Sequence, residues 1–267
     1  MRDARETECD LLVVGSGAGG LSAATTAAWH GLRVVVVEKD RVCGGATAWS
    51  GGWAWVPLNP LSQADGIVED VDRPRTYLKH VLGEHYDPAR VDALLEAGPH
   101  MVAFFQRNTA LEFVSGTWIA DIQGHVPGAG TGGRSVGPKP INARRLGRHL
   151  LDKLRPQLYE TSFLGMGVMA GPDLQAFLHA TRSPKAFVHA GWRVGFHVFD
   201  LATRRQGMQL VNGPAIALAR PGPHAESPCS SLSSLPGGAG GLACEEVADV
   251  RYGLQVRLTP RMSASGS

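Results

Sequence analysis

The chain has 267 residues, 43% of them apolar and 19% charged, with a formal net charge of +2. That length sustains one substantial core, and the apolar fraction excludes a disordered chain. The near-neutral balance gives no reason to expect nucleic acid or an acidic membrane surface as a partner.

The opening MRDARETECD is charged and does not read as a signal peptide. Asp10–Val14 is a short apolar run closed by glycine, the pattern of a buried parallel strand. Gly19 to His30 is rich in Ala and Leu and reads as a helix, with Gly31 as its stop. Arg33–Val37 carries four consecutive valines and ends at Glu38, a second strand. Strand, helix and strand within about 30 residues make one βαβ unit, with the helix on one face of a parallel sheet.

From Val42 to Pro60 the chain is rich in Gly, Trp and Pro and reads as a long structured loop. Helical patterns follow at Arg75–Leu82 and Pro88–Asn108, the second interrupted at Gly98-Pro99. Leu111–Val114 reads as a strand, Asp121–Pro140 as a Gly/Pro-rich loop, and Ala143–Leu158 as a basic amphipathic helix. Apolar residues recur at helical spacing in Asp173–Thr181 and Pro184–Leu201. No stretch approaches the ~20 apolar residues of a membrane span.

After Asn212-Gly213 the composition turns to Pro, Ser and Gly. The expected division is therefore residues 1–213 as an α/β domain, helical from about residue 73, and residues 214–267 as an irregular or disordered tail. Within that tail only Glu245–Leu258 has the character of a strand pair. Four cysteines, Cys9, Cys43, Cys229 and Cys244, lie far apart without a CxxC pair. This argues against zinc and against a disulfide framework, fits a reducing compartment, and leads to the expectation of a soluble cytoplasmic protein. The ten histidines form no i, i+4 pair with a carboxylate, so no metal site is expected.

The chemistry is concentrated near the N-terminus. Gly15-Ser16-Gly17-Ala18-Gly19-Gly20 supplies G-x-G-x-x-G at Gly15, Gly17 and Gly20. The first glycine permits the tight strand-to-helix turn, the second lets backbone approach a pyrophosphate, and the third lets helix and strand pack closely. The helix N-terminus then presents free N–H groups and partial positive charge to the phosphates. Glu38 stands at the end of the next strand, placed to accept the hydroxyl protons of a ribose. A carboxylate there repels a 2′-phosphate and disfavours NADP, but does not separate NAD from FAD. The following run Gly44-Gly45-Ala46-Thr47-Ala48-Trp49-Ser50-Gly51-Gly52 is a second close-approach loop of small and hydroxyl residues. It suits the ribityl chain and ring of a flavin, which favours FAD.

DLLVVGSGAGGLSAA, then VVVVEKD, then CGGATAWSGG followed by WVP, resembles the fumarate reductase/succinate dehydrogenase flavoprotein and 3-ketosteroid Δ1-dehydrogenase superfamily. The resemblance is specific over the first 60 residues and extends more weakly through Gly128–Ser135 to Gln209–Gly213. It implies a Rossmann-like FAD-binding domain, incomplete relative to the family. It also implies a cofactor site of Gly15, Ser16, Gly17, Ala18, Gly19, Gly20, Glu38, Lys39, Gly44, Gly45, Ala46, Thr47, Ser50, Gly51 and Gly52. Some relatives attach FAD covalently through a His where this chain has Gly45, so the expected FAD is non-covalent. The implied activity is dehydrogenation or reduction of a carbon–carbon bond in a small, steroid-like or otherwise hydrophobic molecule, with an unspecified electron acceptor. The family's catalytic residues lie in later sequence, and none is assigned here. The alternative is a truncated or frame-shifted, inactive FAD-binding fragment.

Other residues carry two readings. Arg134 either orients a substrate carboxylate or faces the flavin, or else is an exposed loop arginine. Tyr77 and Tyr86 are phenols of an acid–base type on expected surface helices. Trp49, Trp53 and Trp55 either flank a pocket or pack a core. Cys43 reads as a small apolar residue, and the basic helix with Arg155 as a solvated face.

Overall fold

The computed structural model describes residues 7–139, 153–155, 162–163, 166–167, 172–202, 243–246 and 256–258. A short strand β1 (Thr7–Cys9) precedes β2 (Leu11–Val14), helix α1 (Ala18–Trp29) and β3 (Val34–Glu38). β2 and β3 pair in parallel, Leu11 opposite Val34 and Val14 opposite Val37, so the βαβ unit forms as expected. Small residues on α1 let it lie close on the sheet. Ala24 and Ala27 pack with Val13, Val34 and Val36 in one core. Gly31, at φ +81°, ends the helix in a conformation that a side chain would strain. At the sheet's entrance Asp10 accepts the Arg33 amide at 2.7 Å and pairs with its guanidinium at 3.1 Å.

Part of the sheet comes from the far end of the chain. Strand β9 (Ala243–Glu246) runs parallel to β3, and β10 (Val256–Leu258) runs parallel to β1. Among the described residues of 214–267, these two stretches are strands, and each pairs with an N-terminal strand and not with the other as Glu245–Leu258 suggested. The physical reason is that an edge strand can pair with any short extended run. Three or four residues carry no period to announce it.

A second body follows. Strands β4 (Ala54–Trp55), β5 (Phe113–Ser115) and β6 (Ser135–Pro138) form an antiparallel sheet with β6 in the middle. Helices α2 (Pro60–Ala64), α3 (Asp72–Leu82) and α4 (Pro88–Asn108) accompany it. Val56, Val102, Phe105, Leu111, Phe113 and Val136 make its core. β4 and β6 arise inside segments expected to be loops. α4 also departs from expectation, because it passes through Pro99 without a break. A mid-helix proline costs ~3 kcal/mol. Here the helix is anchored on both sides of it by buried Val91 and Leu95 before and Val102 and Phe105 after. Its start is set by Asp87, whose side chain accepts the amides of Ala89 and Arg90, with Pro88 at the first helical position.

Beyond a short hairpin of β7 (Ser162–Phe163) and β8 (Met166–Gly167), α5 (Pro172–Leu178) and α6 (Pro184–Ala202) pack together. Buried Asp173 ties them, bonding His189 Nε2 at 2.6 Å and Arg193 Nη2 at 2.9 Å. Most of the basic helix expected at 143–158 lies outside the described residues. No helix among the described residues is long and apolar enough to cross a membrane.

Candidate dinucleotide site

The first glycine loop adopts the conformation its residues require. Gly15 sits at φ +96°, and its N–H bonds the Val37 carbonyl at 2.7 Å, carrying the β2–β3 pairing into the turn. A β-carbon on Gly20 would stand 2.0 Å from the Gly15 carbonyl oxygen, so only glycine lets α1 start this close to β2. α1 opens at Gly17 without a side-chain cap from that residue and without an acidic residue in its first turn. No group within the helix's own first turn offsets its N-terminal dipole. A methyl built at Gly15 or Gly19 would meet nothing within 4 Å, so open space stands over the loop where a ligand's phosphates would lie.

The second loop is seated directly on the first. A 3₁₀ turn spans Gly45–Trp49, entered through Gly44 at φ +121° and Gly45 at φ +53°. A β-carbon on Gly45 would lie 3.4 Å from Gly17 Cα, and Thr47 Oγ1 accepts the Ala18 amide at 3.0 Å. Thr47 thus occupies one of the helix donors that an anion would use. Ser50 and Gly52 continue the loop, with Ser50 Oγ donating to the Thr47 carbonyl at 2.8 Å and accepting the Gly52 amide at 3.1 Å. A β-carbon on Gly51 would lie 3.5 Å from Trp53, so this end of the loop leads toward the second body.

Glu38 closes the remaining side. Its Oε2 accepts both the amide of Ser16, at 2.8 Å, and the Ser16 hydroxyl, while Oε1 accepts the Asp40 amide at 3.1 Å. Burial favours the neutral acid, but the Ser16 hydroxyl and the surrounding amides outweigh it and hold the carboxyl below its ordinary range. Glu38 is an anion with hydrogen-bond donors already arranged about it. Of the expected site residues, Gly15 to Gly20, Glu38, Gly44, Gly45 and Thr47 converge, while Lys39 and Ala46 lie exposed at the margin.

Several residues outside that set shape the site. Cys43 bridges to Leu154, its amide donating to the Lys153 carbonyl at 2.6 Å and its carbonyl accepting the Arg155 amide at 2.8 Å. Arg155 is not on a solvated face. Its guanidinium lies 4.6 Å from the centroid of Trp49 and is ion-paired with Asp40, whose carboxyl it holds below the ordinary range. A contact spanning 115 positions leaves no local trace in the sequence. Trp53 packs against Gly137 and Gly116, where added β-carbons would fall 2.9 Å and 3.1 Å from its ring. The Trp55 indole donates to Asp121 at 2.7 Å. Both are packing residues, whereas Trp49, at the end of the Gly45–Trp49 turn and under Arg155, remains exposed.

Arg134 corrects both of its readings. It is 1% exposed and pairs with Glu69 and Asp121, each at 2.6 Å. Burial alone would lower its pKa, but the two carboxylates raise it above the ordinary value. It anchors its own loop and is not presented to a ligand. Tyr77 is likewise buried, its hydroxyl accepting the Gln123 amide at 3.4 Å. Among the described residues no cluster of three or more His, Cys, Asp or Glu side chains could hold a metal ion.

A parallel βαβ unit with this glycine turn, followed by a carboxylate at the end of β3, defines a dinucleotide-binding protein. The family model for the FAD binding domain matches residues 10–220, and the chain belongs to that family. FAD is the cofactor this membership indicates, and the small-residue cradle with its open phosphate side fits it. The 4-oxocyclohex-2-ene-1-carboxylate 5-dehydrogenase of Sinomonas cyclohexanicum is 41% identical over 211 residues, covering 78% of this chain and 35% of that protein. The 3-oxosteroid 1-dehydrogenase of Mycobacterium tuberculosis is 45% identical over 140 residues, covering 52% of this chain and 25% of its own length. The crystal structure of 3-ketosteroid Δ1-dehydrogenase from Sterolibacterium denitrificans, in complex with 1,4-androstadiene-3,17-dione, superposes with a TM-score of 0.67 at 32% identity. The match covers 79% of this chain and 38% of that one. The chain thus spans between a quarter and two-fifths of the length of these relatives.

Proposed function

We propose that the chain binds FAD non-covalently in the cradle between its two glycine loops. There it serves an oxidoreductase that removes hydrogen across a carbon–carbon bond of a cyclic ketone. The observation that carries this reading is the convergence of the Gly15–Gly20 turn, Glu38 and the Gly44–Thr47 loop at the N-terminus of α1. The Gly17 and Gly19 amides and the helix dipole face the pyrophosphate while Thr47 holds the Ala18 amide, Glu38 accepts from the adenosine ribose, and Gly45 to Gly52 follow the cofactor toward its ring. Bound flavin supplies hydride acceptance or donation; this chain's part is to bind, orient and exclude water. The relatives named above are dehydrogenases of oxo-substituted rings, which favours a carbonyl-bearing hydrophobic ring as substrate.

A second reading is a FAD-binding unit without turnover. What favours it is a row of exposed apolar side chains on α6, with Phe187 and Val188 about two-thirds exposed and Trp192 and Val198 about half. The experiment is a dye-reduction assay of the FAD-loaded protein with a 3-oxosteroid and with a 4-oxocyclohexanecarboxylate. Substrate-dependent bleaching of the artificial acceptor supports the enzyme, and loaded protein that bleaches nothing supports the second reading.

A further inference from the structure

Ser16 is fully buried, and its hydroxyl stands between two partners that lie 22 and 28 positions further along the chain. The Gly44 amide, entering the second glycine loop, donates to Ser16 Oγ at 2.9 Å. The same oxygen carries its proton to Glu38 Oε2, the carboxylate oxygen that also accepts the Ser16 amide at 2.8 Å. A serine hydroxyl has one proton to give and accepts with its lone pairs, so this direction is fixed: Gly44 N–H to Ser16 O–H to Glu38. One residue of the first loop therefore joins the second loop to the carboxylate at the end of β3.

We infer that Ser16 is a positioning residue, not a cofactor contact: its hydroxyl relays a hydrogen-bond chain from the Gly44 amide to Glu38 that locks the second glycine loop onto the first and turns the Glu38 Oε1 edge toward the ribose. The inference rests on the reading of this cradle as a FAD site. Ser16 takes up Oε2 with two donors of its own, so a ribose hydroxyl reaches Glu38 through Oε1, on the side of the Asp40 amide. Without the hydroxyl, the buried Gly44 N–H loses its partner and Oε2 loses one of its two donors, leaving the carboxylate held by the Ser16 and Asp40 amides alone. The charged residues beside Glu38 are Lys39, Asp40 and Arg41 in its own turn and Arg155 paired to Asp40, and the backbone position in register with it on β9 is Glu246. None of the hydrogen bonds described for Glu38 comes from a charged side chain, so Ser16 supplies the strongest side-chain influence on its ionisation.

The test compares the parent chain with Ser16→Ala, Glu38→Gln and the double variant, each shown to be folded by circular dichroism. Two readouts are used. In the absence of FAD, NMR titration of the Glu38 carboxyl and hydrogen exchange of the Gly44 amide report the relay itself. Ser16→Ala raises the carboxyl pKa and speeds Gly44 exchange. An unmoved carboxyl with unchanged exchange overturns the inference. With FAD, Ser16→Ala weakens binding about tenfold and moves the acid limb of the binding curve to higher pH. In the Glu38→Gln background it costs little further, because its effect runs through Glu38. Equal losses in both backgrounds would mean that Ser16 touches the cofactor directly, and the positioning role falls. A parent chain that shows the expected titration but binds no FAD refutes the cofactor reading while leaving the relay in place. Should Ser16→Ala fail to fold, Glu38→Ala decides the matter: it removes the acceptor altogether, so faster Gly44 exchange supports the relay and unchanged exchange overturns it.

Discussion

Gly20 stands so close to Gly15 that a β-carbon on the first would lie 2.0 Å from the carbonyl oxygen of the second. The partner atom is backbone, so it cannot swing aside as a side-chain tip would. Gly20→Ala is expected to push α1 away from β2, costing ~1–3 kcal/mol in stability and more in cofactor retention, because the helix N-terminus moves with it. Thermal denaturation with and without FAD checks both. Gly19→Ala, at a position where a methyl meets nothing within 4 Å, is the control and leaves the fold intact.

Arg134 holds the buried carboxylate of Asp121 and the largely buried one of Glu69, beside Trp55 and Tyr77. Removing it strands those charges. Arg134→Met is expected to destabilise by ~3–5 kcal/mol, read as a large drop in the denaturation midpoint. Arg134→Lys recovers only part, because an ammonium cannot serve both partners with the same fork.

Glu38 gives a pH dependence whose sign is fixed by its environment. Its folded carboxyl lies below the ordinary value, so its contribution to stability is complete above that value and is lost as pH falls through the folded one. Acid unfolding curves should therefore steepen below the ordinary glutamate value of about 4.3. Glu38→Gln should flatten that part of the curve. FAD affinity should decline over the same interval, because a protonated acid accepts fewer hydrogen bonds from the ribose.

Pro99 interrupts the hydrogen-bond ladder of α4 without ending the helix. Pro99→Ala restores a donor and removes a ring from the preceding turn. It is expected to raise the melting temperature by several degrees, corresponding to ~1–3 kcal/mol. A scanning calorimetry trace showing no rise would mean that the proline's fixed φ stabilises this turn instead.

The N-terminal unit was readable because its physics is local. A valine run, a glycine turn and an acidic strand end lie within 30 residues, and each demands its own neighbours. The two glycine loops were likewise marked by composition alone. What escaped were relations between distant positions: Arg155 against Asp40 and Trp49, Arg134 with Glu69 and Asp121, and β9 beside β3. Arg134 looks the same in sequence whether it binds a ligand or an internal carboxylate. Its partners lie 65 and 13 positions away without a motif to link them. Pro99 misled for the opposite reason, since local propensity predicts a break that packing on either side overrides.

The cradle formed by the two glycine loops and Glu38 is proposed to hold FAD by itself. The most direct measurement is the visible absorption spectrum of the purified protein after incubation with FAD and desalting. The account predicts a retained flavin spectrum in the parent chain, diminished in Glu38→Gln and in Gly20→Ala. A folded protein that emerges colourless would contradict it.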